Sequence, residues 1–310
     1  MSILFPEELK FLINPRLKQE KSNVSFSGKT VVISGATSGV GKASLEEFVK
    51  HNAHVVMVAR NPEKADNLIK EMKAKYKAHI DLVLCDFRDF EDIKKAAEEI
   101  KRRFAHIHVL VNSVGVYQTK KEYTEDGIEV SFMVNHLGVF LFTVLLLPKL
   151  KSEQEGRIIQ VNSQGHRFNG LKVRDVNFRK RIYTGLRGYG QSKVAQLYTV
   201  YELANRLKGS GVTINAMHPG AVKSNIGTTN GFLYRIWSKI FIQPFLRDPQ
   251  ISADAIYYLA SAEELSDVSG KFFDLTIMEK PAWHAMKKDK QKQVWDLTLE
   301  MCGLNKDLEV

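Results

Sequence analysis

Tyr189 and Lys193 stand four residues apart in the run Tyr189-Gly190-Gln191-Ser192-Lys193. On a helix that spacing puts both side chains on one face. A free tyrosine, with a pKa of about 10, is a poor base at neutral pH. A nearby ammonium favours the phenolate and lowers that value. Such a pair can pass a proton to or from an alcohol oxygen while a hydride moves at carbon. Alone, the pattern is also that of ordinary surface neighbours. A rival, Tyr183, has Arg187 four residues on instead of lysine, so Tyr189 is the preferred acid/base. Ser163 follows the strand-like run Arg157–Val161, which puts its hydroxyl at the carboxyl edge of a sheet, where open α/β folds bind ligands. Asn112-Ser113-Val114-Gly115 follows another strand at the same edge. Asn135 lies within an apolar helical stretch, where asparagine is a poor helix former. It either has a structural role or orients a water for Lys193.

A second constellation is Ser34-Gly35-Ala36-Thr37-Ser38-Gly39-Val40-Gly41, between a β-branched run and a helical pattern. Glycine permits a tight turn and close backbone approach to a pyrophosphate, whose charge a helix N-terminus favours. The spacing is GxxxGxG rather than GxGxxG, so the alternatives are nucleotide binding and an ordinary glycine-rich loop. The second strand ends in Ala59-Arg60-Asn61, with no acid to meet a ribose 2′-hydroxyl. An arginine there suits a 2′-phosphate, which points to NADP(H). The other reading of Arg60 is a solvated surface side chain.

These residues need a scaffold that brings strand ends together, and the pattern supplies one. Strand-like runs at Thr30–Ser34, His54–Ala59, Ile80–Cys85, His108–Val111, Arg157–Val161, Val212–Met217 and Lys271–Leu275 alternate with helical ones. Alternation of this kind means βαβ units, a parallel sheet and helices on both faces. The expectation is an α/β fold: a Rossmann-type, doubly wound parallel sheet of about seven strands in a single domain. A catalytic, NADP-binding domain is expected over residues 28–277, after an N-terminal extension (1–27) and before a C-terminal helical tail (278–310). A long helix is expected over Gly127–Leu150.

The composition, 44% hydrophobic and 26% charged over 310 residues, excludes a disordered chain or a polytopic membrane protein. Two distant cysteines, Cys85 and Cys302, offer neither a disulfide framework nor a zinc cluster and suit a reducing, cytoplasmic setting. The start has no signal-peptide pattern. The net charge of +10 leaves nucleic acid, an anionic membrane or phosphorylated ligands open, but no nucleic-acid motif accompanies it. His136, His166 and His218 lie on separate elements without ligand spacing, so no metal site is expected. Arg179-Lys180-Arg181 reads as a solvated loop.

Together these motifs resemble the short-chain dehydrogenase/reductase family over about residues 28–277. The resemblance implies a tetrad of Asn135, Ser163, Tyr189 and Lys193. In it Tyr189 is the general acid/base, Ser163 polarises the substrate oxygen, Lys193 lowers the tyrosine pKa and holds the nicotinamide ribose, and Asn135 supports a relay water. It implies cofactor contacts from Gly35, Thr37, Ser38, Gly39, Val40, Gly41, Arg60, Asn61, Asp86, Phe87, Asn112, Val114, Gly115, Tyr189, Lys193, Pro219, Gly220, Val222 and Ser224. Three departures stand out: Ser34 before the first glycine, Asn-Ser-Val-Gly at 112–115, and a 26-residue gap between Ser163 and Tyr189.

Asn135-His136-Leu137-Gly138, His166, His218-Pro219-Gly220 and Val294-Trp295-Asp296-Leu297 look like the retinol dehydrogenase-like branch. That branch implies NADP(H)-dependent interconversion of a bulky apolar alcohol and its aldehyde or ketone, by a monomer or homodimer. The alternatives are a non-catalytic NADP-binding regulator and a protochlorophyllide-reductase-like double-bond reductase. Leu233, Ile236, Trp237, Ile240 and Phe241 repeat at one-face helical spacing, within a substrate lid expected at about 225–250. That segment either packs on the core or closes over substrate, and its basic face could rest on an anionic membrane.

Overall fold

The computed structural model describes residues 13–152, 155–222 and 247–305. Its centre is an eight-stranded sheet of order β3-β2-β1-β4-β5-β6-β7-β8. The strands are β1 (Thr30–Ser34), β2 (His54–Ala59), β3 (His79–Leu84), β4 (Val109–Asn112), β5 (Arg157–Val161), β6 (Thr213–His218), β7 (Phe272–Asp274) and β8 (Ile277–Glu279). The first seven run parallel. Runs such as Thr30–Ser34 and Arg157–Val161 are almost wholly buried, as strands covered on both faces must be.

Helices α1 (Gly39–Lys50), α2 (Pro62–Lys75) and α6 (Gln250–Ser261) cover one face. Helices α3 (Phe90–Arg103), α4 (Val130–Leu150), α5 (Gly185–Arg206) and α7 (Lys288–Met301) cover the other. The side of crossover changes between β1 and β4, which makes their carboxyl ends the switch point where such sheets bind ligands. Local chemistry sets the helix starts: the Asn61 side chain accepts from Lys64 N–H (2.8 Å) at α2, and the Asp89 carboxylate caps α3.

Two elements differ from expectation. The sheet has an eighth strand, antiparallel to β7, entered through a turn at Leu275 (φ 56°). It lies across the expected boundary at 277. The segment beyond it is no loose tail, because α7 buries Val294, Trp295, Thr298 and Leu299, and Trp295 meets Phe140 edge-on at 5.2 Å. The long helix starts at Val130, capped by the buried Glu129 carboxylate, which accepts from Ser131 N–H (2.9 Å) and Phe132 N–H (2.8 Å). Its second turn, Met133–Leu137, widens into a π-turn. At 21 residues α4 is long and apolar enough to cross a membrane, but 89% of its most apolar window is buried inside the protein.

The described part of the N-terminal extension, residues 13–27, is a strap on the body. Gln19 Oε1 accepts from Thr276 Oγ1 (2.9 Å), and Phe26 packs against Phe48 and Tyr257.

Candidate active site

The glycine turn comes directly off β1. Gly35 (φ 71°) and Gly39 (φ 51°) hold left-handed backbone that residues with a side chain rarely adopt. A Cβ on Gly35 would lie 2.7 Å from the Val114 backbone, and one on Gly41 would lie 2.3 Å from the Gly35 carbonyl oxygen. The turn is thus closed against itself and against the loop after β4, with no room for side chains. Ser38 is the N-cap of α1 yet makes no side-chain capping bond, so that N-terminus keeps donors for an anion. Thr37, Ser38 and Gly39 are partly exposed, while Val40 is buried. Arg60, its side chain 57% exposed, stands with Nη1 3.7 Å from Asp86 Oδ2 at the same edge. This cradle fits the pyrophosphate of a dinucleotide, and the exposed guanidinium fits a charge on its adenosine end.

The proton-carrying side chains converge beside it. α5 presents Tyr189 and Lys193 on one face, with Lys193 Nζ 5.8 Å from the Tyr189 ring centroid. Tyr189 and Ser163 converge at Gly165, where an added Cβ would lie 3.0 Å from Tyr189 Cε1 and 3.3 Å from Ser163 Oγ. Ser163 Oγ also accepts from Gly165 N–H (3.0 Å). Lys193 is 2% exposed and donates to the Val161 carbonyl (2.9 Å).

Burial pushes the Lys193 ammonium down to about 7. Burial also pushes the Tyr189 phenol up, against the pull of the nearby Ser163 hydroxyl. Desolvation is the larger influence on the phenol, and Lys193 is not among the groups that shift it. A raised phenol keeps its proton at neutral pH, as an acid in carbonyl reduction must.

Asn135 sits in the π-turn, a feature frequent at functional sites. Its Nδ2 donates to the Val116 carbonyl (3.0 Å) and to Ser192 Oγ (3.0 Å), and its Oδ1 accepts from Val116 N–H (2.7 Å). It thereby ties the loop after β4 to α4 and α5. Its main-chain carbonyl accepts from Gln196 Nε2 (2.8 Å), a residue that the motifs did not single out.

Other expected site residues fall into different roles. The Asn112 side chain donates to Thr143 Oγ1 (2.9 Å) and is buried, leaving only its backbone at the strand end beside Ser34. The Phe87 ring is in the core against Phe142. Asn61 is spent on capping α2. Asp86 is held by Arg88 as well as Arg60, and those cations keep its carboxyl below the usual range. Gly115 lies against Asn135, with Asn135 Oδ1 3.5 Å from where its Cβ would be. Pro219 follows β6, and its carbonyl accepts from Ser252 Oγ (2.5 Å). Gly220 has φ 80°, and Val222 is buried. Ser224 and the expected lid helix at 231–242 lie outside the described residues.

Tyr183 is engaged away from Ser163 and Lys193. Its hydroxyl donates to the Gln118 carbonyl (2.9 Å) and pairs with Glu129 (3.1 Å), and burial beside that carboxylate pushes it up. The basic run at 179–181 is an exposed loop, as expected, that is also held by side-chain contacts. Arg179 stacks on Tyr123 at 4.1 Å, and Arg181 binds Asp175 (3.1 Å) and Gln191 (2.7 Å). Of the three histidines, His136 pairs with Thr298 of α7 (2.9 Å). His166 Nε2 accepts from Ala282 N–H (3.1 Å), so its Nδ1 carries the proton and donates to the Ser163 carbonyl (2.7 Å). Burial pushes His136, His166 and His218 each down to about 3. They act as neutral packing and orienting groups.

A glycine turn at the switch point, together with Ser163 and Tyr189 beside a buried Lys193, matches known proteins. The family described as short chain dehydrogenase matches residues 29–231. This chain belongs to the short-chain dehydrogenase family. Retinol dehydrogenase 13 of Homo sapiens is 34% identical over 288 residues, covering 91% of this chain and 87% of that protein. Retinol dehydrogenase 12 of Mus musculus is 35% identical over 284 residues, covering 91% and 89%. A crystal structure of a protein from Mycobacterium paratuberculosis aligns with TM-score 0.74 at 26% identity, covering 92% of this chain and 97% of that one. The chain is therefore a retinol dehydrogenase-like oxidoreductase of a family that uses nicotinamide dinucleotides.

Proposed function

We propose that this protein is an NADP(H)-dependent oxidoreductase interconverting a bulky apolar alcohol and its aldehyde or ketone, with Tyr189 as general acid/base. The observation that carries the reading is the convergence of the Tyr189 ring and Ser163 Oγ at Gly165 beside a buried Lys193, at the sheet edge that holds the glycine turn. The bound nicotinamide supplies or accepts the hydride. Ser163 donates a hydrogen bond to the substrate oxygen and polarises it. Tyr189 gives its proton to that oxygen as negative charge develops there, and takes it back in the oxidative direction. Lys193 stabilises the phenolate left behind. The α1 N-terminus and the glycine cradle hold the pyrophosphate, and Arg60 favours the 2′-phosphate.

The retinol dehydrogenase relatives support a bulky apolar substrate class. Peripheral contact with an anionic membrane belongs to the same proposal. Phe168, Ile182, Leu186 and Trp283 are large apolar side chains left exposed on the described surface.

The test is NADPH oxidation over a panel of retinal, steroid ketones, quinones and small aldehydes, with wild type, Tyr189→Phe and Tyr183→Phe. Removal of a general acid lowers turnover by about 10²–10⁴-fold, so Tyr189→Phe should be nearly inert with NADPH affinity kept. Tyr183→Phe should turn over normally once folded. Turnover by Tyr189→Phe alongside a dead Tyr183→Phe overturns the assignment. NADPH binding without turnover of any carbonyl favours the regulator. Reduction of a carbon–carbon double bond alone favours the other reductase class.

A further inference from the structure

We infer that Gln196 is a positioning residue of the proton-carrying site, fixing the Lys193 ammonium between β5 and the π-turn of α4 where a relay water was expected. The inference rests on the Tyr189–Lys193 reading above and deepens it. Gln196 lies one turn beyond Lys193 on α5 and is 2% exposed. Its Oε1 accepts from Asn162 Nδ2 (2.7 Å) and from Lys193 Nζ (3.4 Å). Its Nε2 donates to the main-chain carbonyl of Asn135 (2.8 Å). These three partners fix which end of the amide is oxygen, since two donors meet one end and an acceptor meets the other.

A single amide therefore spans the gap between the Asn135 carbonyl and the lysine. The same cluster braces β5: Asn162 Nδ2 also donates to the Lys193 carbonyl (3.0 Å), and Asn162 Oδ1 accepts from Ser163 N–H (2.8 Å). Gln196 thus touches the elements that carry Ser163, Lys193 and Asn135 at once.

The chemical consequence differs from that of a water. A water in this position could accept a proton from the lysine and pass it on. A carboxamide is neither an acid nor a base near neutral pH, so it orients the ammonium without relaying its proton. Proton return to Lys193 must then come from the open, cofactor side. Among the described residues, the groups around Lys193 are few. Tyr189 is the titratable side chain facing it on α5, and no carboxylate contributes to its shift. β5 supplies the Val161 carbonyl and, through Asn162, Ser163. The π-turn supplies the Asn135 carbonyl through Gln196, and its His136 is held neutral and turned to Thr298. With so few partners, each acceptor of the ammonium matters to the pH at which the proton is lost.

The experiment measures kcat/KM for carbonyl reduction against pH in wild type, Gln196→Met and Gln196→Ala. Methionine keeps the volume but removes the acceptor, so the alkaline limb should move to lower pH by about one unit, the scale of one hydrogen bond to a charged group. Alanine opens space for water to rejoin Lys193 to Asn135, so its limb should lie closer to wild type. A purely structural glutamine would lower activity by one factor at every pH, and profiles that superimpose after scaling overturn the proposal. So does an upward shift of the limb. The methionine profile is the one that decides; melting curves and NADPH titration confirm folding, and Gln196→Leu, which also removes the acceptor without admitting water, keeps the test open if the methionine does not pack. A dead Tyr189→Phe with an unmoved limb refutes the role of Gln196 alone. An active Tyr189→Phe removes the reading on which it rests.

Discussion

Substituting Gly41 by alanine isolates the cofactor cradle from general stability. The new Cβ would lie 2.3 Å from the Gly35 carbonyl oxygen and 2.8 Å from its carbon, both backbone atoms that cannot swing aside. Ordinary contact begins at 3.4 Å, so the first turn of α1 must retreat from the β1 loop by about 1 Å. Overpacking of this kind costs about 1–3 kcal/mol, offset by about 0.5–1 kcal/mol because alanine suits a helix better than glycine. The net loss of stability is about 0–2.5 kcal/mol. Gly28→Ala supplies the matched control. Gly28 has φ 77° and nothing within 4 Å of an added Cβ, so the change brings only backbone strain of about 1–2 kcal/mol, away from the carboxyl edge. The two variants should melt alike in urea. Only Gly41→Ala should lose NADPH affinity. One displaced amide contact to a phosphate is worth about 1.5–3 kcal/mol, or roughly ten- to a hundredfold in Kd. Fluorescence titration of NADPH into both proteins decides it. Wild-type affinity in Gly41→Ala would mean that the α1 N-terminus does not hold the pyrophosphate.

Periodicity made the sheet legible because parallel strands buried on both faces must be apolar runs, and residues such as Val31, Val32 and Ile33 can be little else. β8 was illegible for the opposite reason. It is three residues long, half polar in its exposure, and follows a left-handed turn at Leu275, where sequence rules look for glycine or asparagine. The tetrad residues were visible by type and spacing, but the direction of their pKa shifts was not. Spacing says that a lysine is near a tyrosine, while only the fold says that both have lost water. Gln196 escaped notice because a glutamine three residues after Lys193 carries no chemistry in isolation. Its meaning comes from the π-turn, which a sequence reads only as an asparagine misplaced in a helix. Asn112 shows the reverse: a strand-end polar residue read as a ligand contact, yet turned into the core by the two-residue period of β4.

Two further outcomes are expected. Arg60→Ala should cut the preference for NADPH over NADH by roughly ten- to a hundredfold, since one charge-assisted contact is lost and Asp86 keeps Arg88 as partner; an unchanged ratio in paired titrations removes Arg60 from the argument. Asp274 should make stability depend on pH. It ends β7 opposite His218, fully buried, with Asn14 beside it but no hydrogen bond completed by either carboxylate oxygen. Burial, with Glu279 adding like charge, pushes its pKa up to about 7. Below the ordinary carboxylate value of about 3.9 both folded and unfolded chains hold the proton, and nothing is lost. As pH rises from about 4 to 7 the unfolded chain releases that proton while the folded chain keeps it, so stability falls across this window and levels off above it. Asp274→Asn removes the charge at nearly constant shape. Its stability relative to wild type, from urea midpoints, should be near level at pH 4, grow by up to a few kcal/mol by pH 7, and stay constant beyond. A difference flat with pH would show that Asp274 ionises in the folded protein as freely as in the unfolded chain, and that its burial is relieved by water.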